Sequence, residues 1–418
     1  MTSPSPAGST SRFLPSSATA DARVLLQARA IRAFGDGFVS VLLPVYLAAL
    51  GYGALEVGAV VTATLVGSAA VTLGVGLLAH RFPRRALLLR ASLLMVATGL
   101  GFAVAPGFVP ILVVALVGTL NPSSGDVSLF LPTEQALLPQ TVSAGQRTAL
   151  FARYSLMANL VGAVGALLAG LPDLLVDRTP IGRTDALRGM FVLYAALGLV
   201  VLWRYRALSP AIEPGEGTPS SPLRESRGIV LRLAALFSLD SLGGGFVVQA
   251  LLALWLFQRF DLSVATAGVI FFWSGLLSAF SQLAAPRLAA KIGLLETAVY
   301  THLVANALLI ATPFMPTLPL AIATLLARSA LSQMDVPVRT SYVMAVVPAA
   351  ERAAAASVTN VPRSLASAAA PLLGGWLLST TTFGWNLVIG GVLKAVYDLL
   401  LLRGFKAIRP PEESDPSS

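Results

Sequence analysis

The sequence contains no cysteine in its 418 residues, which excludes disulfides, thiolate metal sites and cysteine nucleophiles. Histidine is nearly as scarce. Two copies, His80 and His302, leave almost no room for a histidine-based metal cluster or catalytic triad. Charge is thin: 12% of residues are charged, against roughly 25% in soluble domains. No GxxxxGK[ST] phosphate loop is present, which argues against an ATP-driven pump. With no nucleophile–base–orienter set either, an enzyme is not expected.

What fills the chain instead is apolar. Hydrophobic residues make up 56% and the mean hydropathy is +0.78, so there is too little polar surface to cover a water-soluble globule. Apolar runs lie near 24–50, 54–78, 86–105, 108–138, 149–171, 188–207, 228–258, 263–285, 293–314, 317–347, 353–380 and 384–404. Each is close to the roughly 20 residues that cross a bilayer core. Lipid offers no partners to backbone amides, so such runs must be helices or a closed barrel, and long non-alternating runs decide for helices. The fold class read from the chain is all-α integral membrane, with twelve transmembrane helices.

Basic residues sort by loop. Placing both termini inside gathers Arg81, Arg84, Arg85, Arg90, Arg147, Arg204, Arg206, Arg224, Arg227, Arg232, Arg287, Lys291, Arg352, Arg403, Lys406 and Arg409 on the cytoplasmic side. Only Arg178, Arg183, Arg188 and Arg259 remain opposite. The net charge of +9 is therefore a topology signal and not a nucleic-acid footprint.

The chain also repeats itself. At an offset of 205, Pro132, Val142, Ala144, Arg147, Ala149, Leu160, Ala163, Leu167, Leu168 and Gly170 recur as Pro337, Val347, Ala349, Arg352, Ala354, Leu365, Ala368, Leu372, Leu373 and Gly375, without a gap. A duplicated membrane half marks secondary transporters, whose substrate site lies where the halves meet. The expected organisation is a disordered cytoplasmic segment 1–22, a six-helix bundle 23–207, a Pro/Gly-rich cytoplasmic linker 208–227, a second bundle 228–405 and a tail 406–418.

After the second run stands Gly76-Leu-Leu-Ala-His80-Arg81-Phe-Pro83-Arg84-Arg85. This resembles the G-x-x-x-D-R-x-G-R-R loop of the major facilitator superfamily, and the likeness extends over nearly the whole chain. Gly76, Arg81, Arg84 and Arg85 match; His80 replaces the usual acid and Pro83 the usual glycine. The resemblance implies two pseudo-symmetric six-helix bundles, and a loop that latches them on the cytoplasmic face. With His80 in place, that loop is either a pH-sensitive latch or a plain polar loop. The family's G-P-x-x-G-G element occurs as Ala370-Pro371-Leu-Leu-Gly374-Gly375, and without its proline as Gly165-Ala-Leu-Leu-Ala-Gly170. Close helix packing is the expected role of both.

Ionisable residues inside membrane runs are costly and mark pathways. The tenth run carries Arg328, Ser332, Asp335 and Arg339 within about 60° on a continuous helix, with Asp335 and Arg339 spaced to pair. The fourth holds the helix-weakening Asn121-Pro122-Ser-Ser-Gly125-Asp126 and then Glu134. Glu134 and Arg339 are equivalent by the 205 offset, which suggests a contact between halves that breaks and remakes. The first run offers Arg29, Arg32 and Asp36; the seventh offers Asp240 before Gly243-Gly-Gly245. The resemblance assigns these four runs to the cavity wall. Arg153 and Arg363 add cations. Arg29 is expected to snorkel to the interface, Lys394 and Asp398 to neutralise each other, and His302 to be a packing residue.

The expected function is secondary active transport of a small solute by alternating access, with protons as coupling partner and no cofactor, in a monomer of the cell membrane. Export is favoured because Phe34, Phe38, Tyr46, Phe246, Trp255 and Tyr342 suit amphipathic solutes; uptake of a small organic anion, drawn to Arg32, Arg153, Arg328 and Arg339, is the rival. A non-transporting sensor, lipid scramblase or assembly partner is a third class. Only three of the 29 basic residues are lysine (Lys291, Lys394 and Lys406), and with abundant alanine this points to a GC-rich bacterial source.

Overall fold

A computed structural model describes residues 14–78, 82–122, 130–143, 146–213, 224–336, 339, 347–348 and 351–406. The first half of the chain forms α1 (Ala20–Ala49), α2 (Ala54–Leu78), α3 (Arg84–Val104), α4 (Phe108–Val117), α5 (Phe130–Leu137), α6 (Arg147–Leu167), α7 (Leu171–Arg178) and α8 (Arg183–Arg206). The second forms α9 (Arg227–Phe246), α10 (Gln249–Phe260), α11 (Val264–Ile292), α12 (Leu294–Ala311), α13 (Leu318–Ser329), α14 (Arg352–Thr380) and α15 (Trp385–Phe405). No strand occurs among the described residues.

Among those residues, nine helical stretches are long and apolar enough to cross a membrane. Phe108–Val117 and Leu318–Ser329 are shorter apolar helices, and α14 lies outside the nine. Nine, two and one together are consistent with twelve spans. The protein is a multi-pass membrane protein. Its outward side chains fit lipid: Val104, Val109, Trp203, Phe280, Trp376 and Leu399 are all exposed, a surface that water would penalise.

Helix pairing follows the repeat. In the first half α1 packs on α6 and α8, α3 on α8, and α2 on α4; in the second α9 packs on α14 and α15, α12 on α15, and α11 on α13. The halves join chiefly through α2 with α14 and α6 with α11, and further through α1 with α10 and α11. The start of α2 meets the end of α14, so the two halves point the same way. We call the face where α1, α3, α9 and α14 begin the basic face, after Arg84, Arg85, Arg204, Arg206 and Arg227.

Small residues make the joins between halves possible. A Cβ at Gly375 would lie 2.5 Å from the Ala54 carbonyl oxygen, and one at Gly58 would lie 2.6 Å from that of Pro371. Gly268 approaches the Ala166 carbonyl in the same way, and Gly170 abuts Ala265. Pro371 interrupts the hydrogen-bond ladder of α14, and the Leu372 N–H beside it donates to Thr62 Oγ1 of α2 at 2.9 Å. Gly170 and Gly375 are equivalent in the repeat, and both close the joint at the face opposite the basic one. The packing role expected of the glycine elements is the one found.

Both ends of the described linker are clamped by carboxylates. Glu213 accepts the Arg84 and Arg85 N–H groups at the start of α3, at 2.8 and 2.9 Å. Glu351 accepts those of Arg224, Glu225 and Ser226 ahead of α9, at 2.9, 3.0 and 3.1 Å. Its repeat equivalent Gln146 accepts the Ser17 N–H ahead of α1 at 3.1 Å. Free helix-start amides favour such acceptors.

Candidate functional site

Most of the described charges singled out in the sequence gather into one cluster per half, Arg153 and Arg328 excepted. In the first, Glu134 of α5 is fully buried and takes Arg32 as its ion-pair partner. The Tyr154 and Tyr205 hydroxyls donate to the same carboxylate, at 2.5 and 2.6 Å. The Arg32 guanidinium lies 4.1 Å from the centre of the Phe130 ring. Asp36 sits one turn deeper in α1, faces Arg29 and Arg32, and bonds the Asn121 side chain.

The second cluster is larger and centres on Asp240 of α9. Lys394 reaches Asp240 Oδ1 at 2.6 Å, Arg339 reaches Oδ2 at 3.1 Å, and His302 Nε2 lies 3.8 Å from Oδ1. Arg339 also holds Asp335 at 3.2 Å. The other ring nitrogen of His302 meets Asp398 at 2.8 Å, and Asn306 donates to that carboxylate at 2.9 Å. Arg363 donates to Ser241 Oγ at 3.2 Å, and its guanidinium lies 5.8 Å from the Phe237 ring centre.

Several expectations are corrected here. Glu134 and Arg339 do not form a contact between halves, because each finds its counter-ion inside its own bundle. Their repeat equivalence is nonetheless real. Position 32 meets 134 as an ion pair, and positions 237 and 339, each 205 later, meet as an arginine 5.1 Å from a phenylalanine ring centre. Lys394 does not neutralise Asp398: it pairs with Asp240, while His302 takes Asp398. His302 thus joins the network and is no mere packing residue. Arg29 does not snorkel; it is 5% exposed and lies 5.3 Å from the Tyr154 ring centre. A lone charge at these depths is so costly that side chains bend toward partners first. The continuous polar stripe in the tenth run is broken, since residues 330–334 leave the helix before Asp335.

The aromatic residues behind the export reading are mostly core. Phe38, Tyr46 and Trp255 are fully buried, with Tyr46 bonded to the Phe102 carbonyl and Trp255 to that of Phe383. Tyr342 lies outside the described residues, as do Asp126, His80 and Arg81. Gly76 is in the last turns of α2. Arg84 and Arg85 donate to the Ala136 and Arg206 carbonyls, both within the first half. Arg153 is half-buried on α6, with no ion pair among the described residues.

Two spans break, and the breaks meet. The fourth leaves the helix at Gly118, and the seventh at Val247 and Val248. The Ala250 N–H, orphaned at the start of α10, donates across the halves to the Pro122 carbonyl at 3.2 Å. Asn386 caps the other stub by donating to the Phe246 carbonyl at 3.1 Å. The glycines just before this break serve close packing: a Cβ at Gly243 would lie 2.8 Å from the Gly390 carbonyl oxygen of α15, and Gly245 presses on Ser367 of α14.

A neutral polar seam, missed in the sequence, also joins the halves. Asn159 of α6 donates to Gln282 of α11 at 3.2 Å, and Gln282 donates to Gln333 at 3.4 Å. Ser274 and Ser329 hydroxyls are 2.6 Å apart, and Ser278 donates to the Ser329 carbonyl at 3.3 Å. The spacing of Ser274, Ser278 and Gln282, each four apart, was the available signal.

Comparison with known proteins agrees with this architecture. The family model for the Major Facilitator Superfamily matches residues 25–334. An uncharacterized membrane protein of Saccharomyces cerevisiae, YJR124C, is 23% identical, over 92% of this chain and 94% of its own. The fold resembles that of a bacterial homologue of the human lysosomal transporter Spinster, in an inward-facing and unoccupied conformation. That match has a TM-score of 0.73 at 14% identity and covers 93% of this chain and 97% of the other. The nucleoside transporter NupG superposes with a TM-score of 0.71 at 14% identity, over 93% and 100% of the two chains.

Proposed function

The chain belongs to the Major Facilitator Superfamily and is a membrane transporter; from that premise we propose that it moves a small solute by alternating access, coupled to protons at the Asp240–His302–Asp398 network. The carrying observation is His302, held between two carboxylates at 2.8 and 3.8 Å by its two ring nitrogens. Around it, Asp240, Asp335 and Asp398 are balanced in number by Arg339, Arg363 and Lys394. A ring nitrogen facing each of two carboxylates gives a transferred proton a place to sit.

The network can act on conformation because it joins α9, α12 and α15 within the second half. Asp240 lies on α9, two turns before the break at Val247 that reaches the Pro122 carbonyl. A proton on His302 draws the Asp240 carboxylate toward the ring and away from Lys394 and Arg339, altering how α9, α12 and α15 pack. Coupling then follows when the solute-loaded and proton-loaded forms favour different packings. The basic face is the cytoplasmic one in this reading. Phe38, Tyr46, Phe246 and Trp255 are packed in the core and so lend export no particular weight, and the direction of transport is left to the gradient that drives accumulation.

The test is transport in proteoliposomes with an imposed pH gradient and a pH-sensitive dye inside. His302→Gln and Asp240→Asn are expected to reduce solute-dependent proton movement at least about tenfold, the scale of losing one essential proton-transfer group. Proton movement at wild-type rates in both variants would exclude the network as the coupling site.

A further inference from the structure

Unlike Arg32 and Arg339, Arg328 stands outside the ion pairs of the described residues. Arg328 closes the last turn of α13 and is half-buried. Among the described residues its guanidinium has no carboxylate, no aromatic ring and no hydrogen-bond acceptor, and its enclosed Nε is unbonded. Partial burial removes much of its water, and no charged group among the described residues compensates. The C-terminal end of α13 supplies only about half an elementary negative charge. By contrast, Arg32 and Arg339 are each committed to a protein carboxylate. Of the four arginines that suggested an anionic solute, two are therefore spent internally.

The second observation adjoins it. Ser329, the next residue, belongs to the polar seam with Ser274 and Ser278, and one turn on Gln333 continues it through Gln282 to Asn159. Every group in the seam is neutral and can both donate and accept. The seam draws on both halves, so a solute bonded there touches each of them. Arg328 immediately precedes Ser329 on α13, and a guanidinium neighbouring neutral hydroxyls and amides is the complement of a molecule with one anionic end and a polar body.

We propose that Arg328, with Asn159, Ser274, Ser278, Gln282 and Gln333, binds a small hydrophilic organic anion, a carboxylate or a phosphate monoester. Its charged end takes the Arg328 guanidinium, and its hydroxyl or amide groups exchange with the seam. Entry between Asn159 and Gln282 replaces a bond between halves with bonds to solute, so occupancy bears on the contact that has to open. The site rests on the transporter reading, whereas its test needs neither a gradient nor protons.

The full chain in detergent is followed by thermal unfolding with four probes: lactate, gluconate, glycerol 3-phosphate and glucose 6-phosphate. Each is run beside a neutral twin (lactamide, glucose or glycerol) at equal ionic strength. At least one anion should raise the Tm of the wild type by a few degrees while its twin does not. Arg328→Gln should abolish that shift, weakening the apparent Kd at least about tenfold, and Gln282→Ala should weaken it about two- to tenfold. Without any probe, Arg328→Gln should raise the Tm, because it removes an uncompensated cation. A lowered Tm, or a variant too unstable to purify, would show a structural partner for Arg328 and overturn the proposal. So would stabilisation by none of the anions, by twins equally, or by anions regardless of the Arg328 substitution. Arg328→Lys keeps the charge and should retain selectivity for anions at reduced affinity. Wild-type proton movement in the His302→Gln and Asp240→Asn variants, with this binding intact, would sink the coupling reading alone.

Discussion

At the scale of single residues, the sequence says which charges are buried and says less about their partners. Asp36, Glu134, Asp240, Asp335 and Arg339 were legible because an ionisable group inside an apolar run has few alternatives. Their pairing was not, since Lys394 can reach Asp398 along its helix or Asp240 across to α9, and only the packing of α9 on α15 decides. Outside the spans, Glu351 offers the cleanest single-residue prediction. The Ser226 hydroxyl outweighs an opposing effect of burial, and with the N–H groups of Arg224, Ser226 and Glu225 it holds the carboxyl down to about 2, from an ordinary 4.5. A depressed carboxyl stabilises the fold fully above its ordinary value and loses that contribution as pH falls toward its folded value. The wild type should therefore lose thermal stability as pH drops from 4.5 toward 2. Glu351→Gln should be less stable at pH 7 and show a flatter dependence across that window. Parallel unfolding curves for the two proteins would show that Glu351 clamps nothing.

At the scale of elements, the runs of apolar residues located the spans well because lipid permits little but helix. The interruptions were half legible. Asn121-Pro122 pointed to a weak place in the fourth span, yet the helix already ends at Gly118. There a Cβ would crowd Thr98 of α3, a contact invisible in one dimension. In the seventh span three successive glycines can serve flexibility or close approach, and at Gly243 and Gly245 the structure shows approach. Gly243→Ala is expected to force α9 and α15 apart, costing about 1–3 kcal/mol as overpacking does. The readout is the Tm of the purified chain, and an unchanged Tm would mean that the crossing has slack. The polar seam went unread because serine and glutamine in a membrane helix look alike whether they face a partner helix or the helix's own carbonyls.

At the scale of the whole molecule, the offset of 205 carried the most information, since equivalent helix pairings recur in each half and the α2–α14 and α6–α11 joints are equivalent under it. It misled in one respect: equivalence between Glu134 and Arg339 marks the same place in two bundles, not two ends of one bond. The absence of cysteine gives a direct way to examine the joint. The Ala163 Cβ lies 2.8 Å from where a Cβ at Gly275 would stand, within a small shift of disulfide spacing. Ala163→Cys with Gly275→Cys should crosslink α6 to α11 on oxidation, stop solute movement, and recover it on reduction. Transport that continues in the crosslinked protein would mean that this joint never opens.

The bond from Ala250 to Pro122 is made entirely by main-chain atoms. Such a fastening takes no notice of which side chains hang beside it. Lining residues can be exchanged to suit another cargo while the clasp itself stays as it was, and only a proline at position 250 would remove its donor.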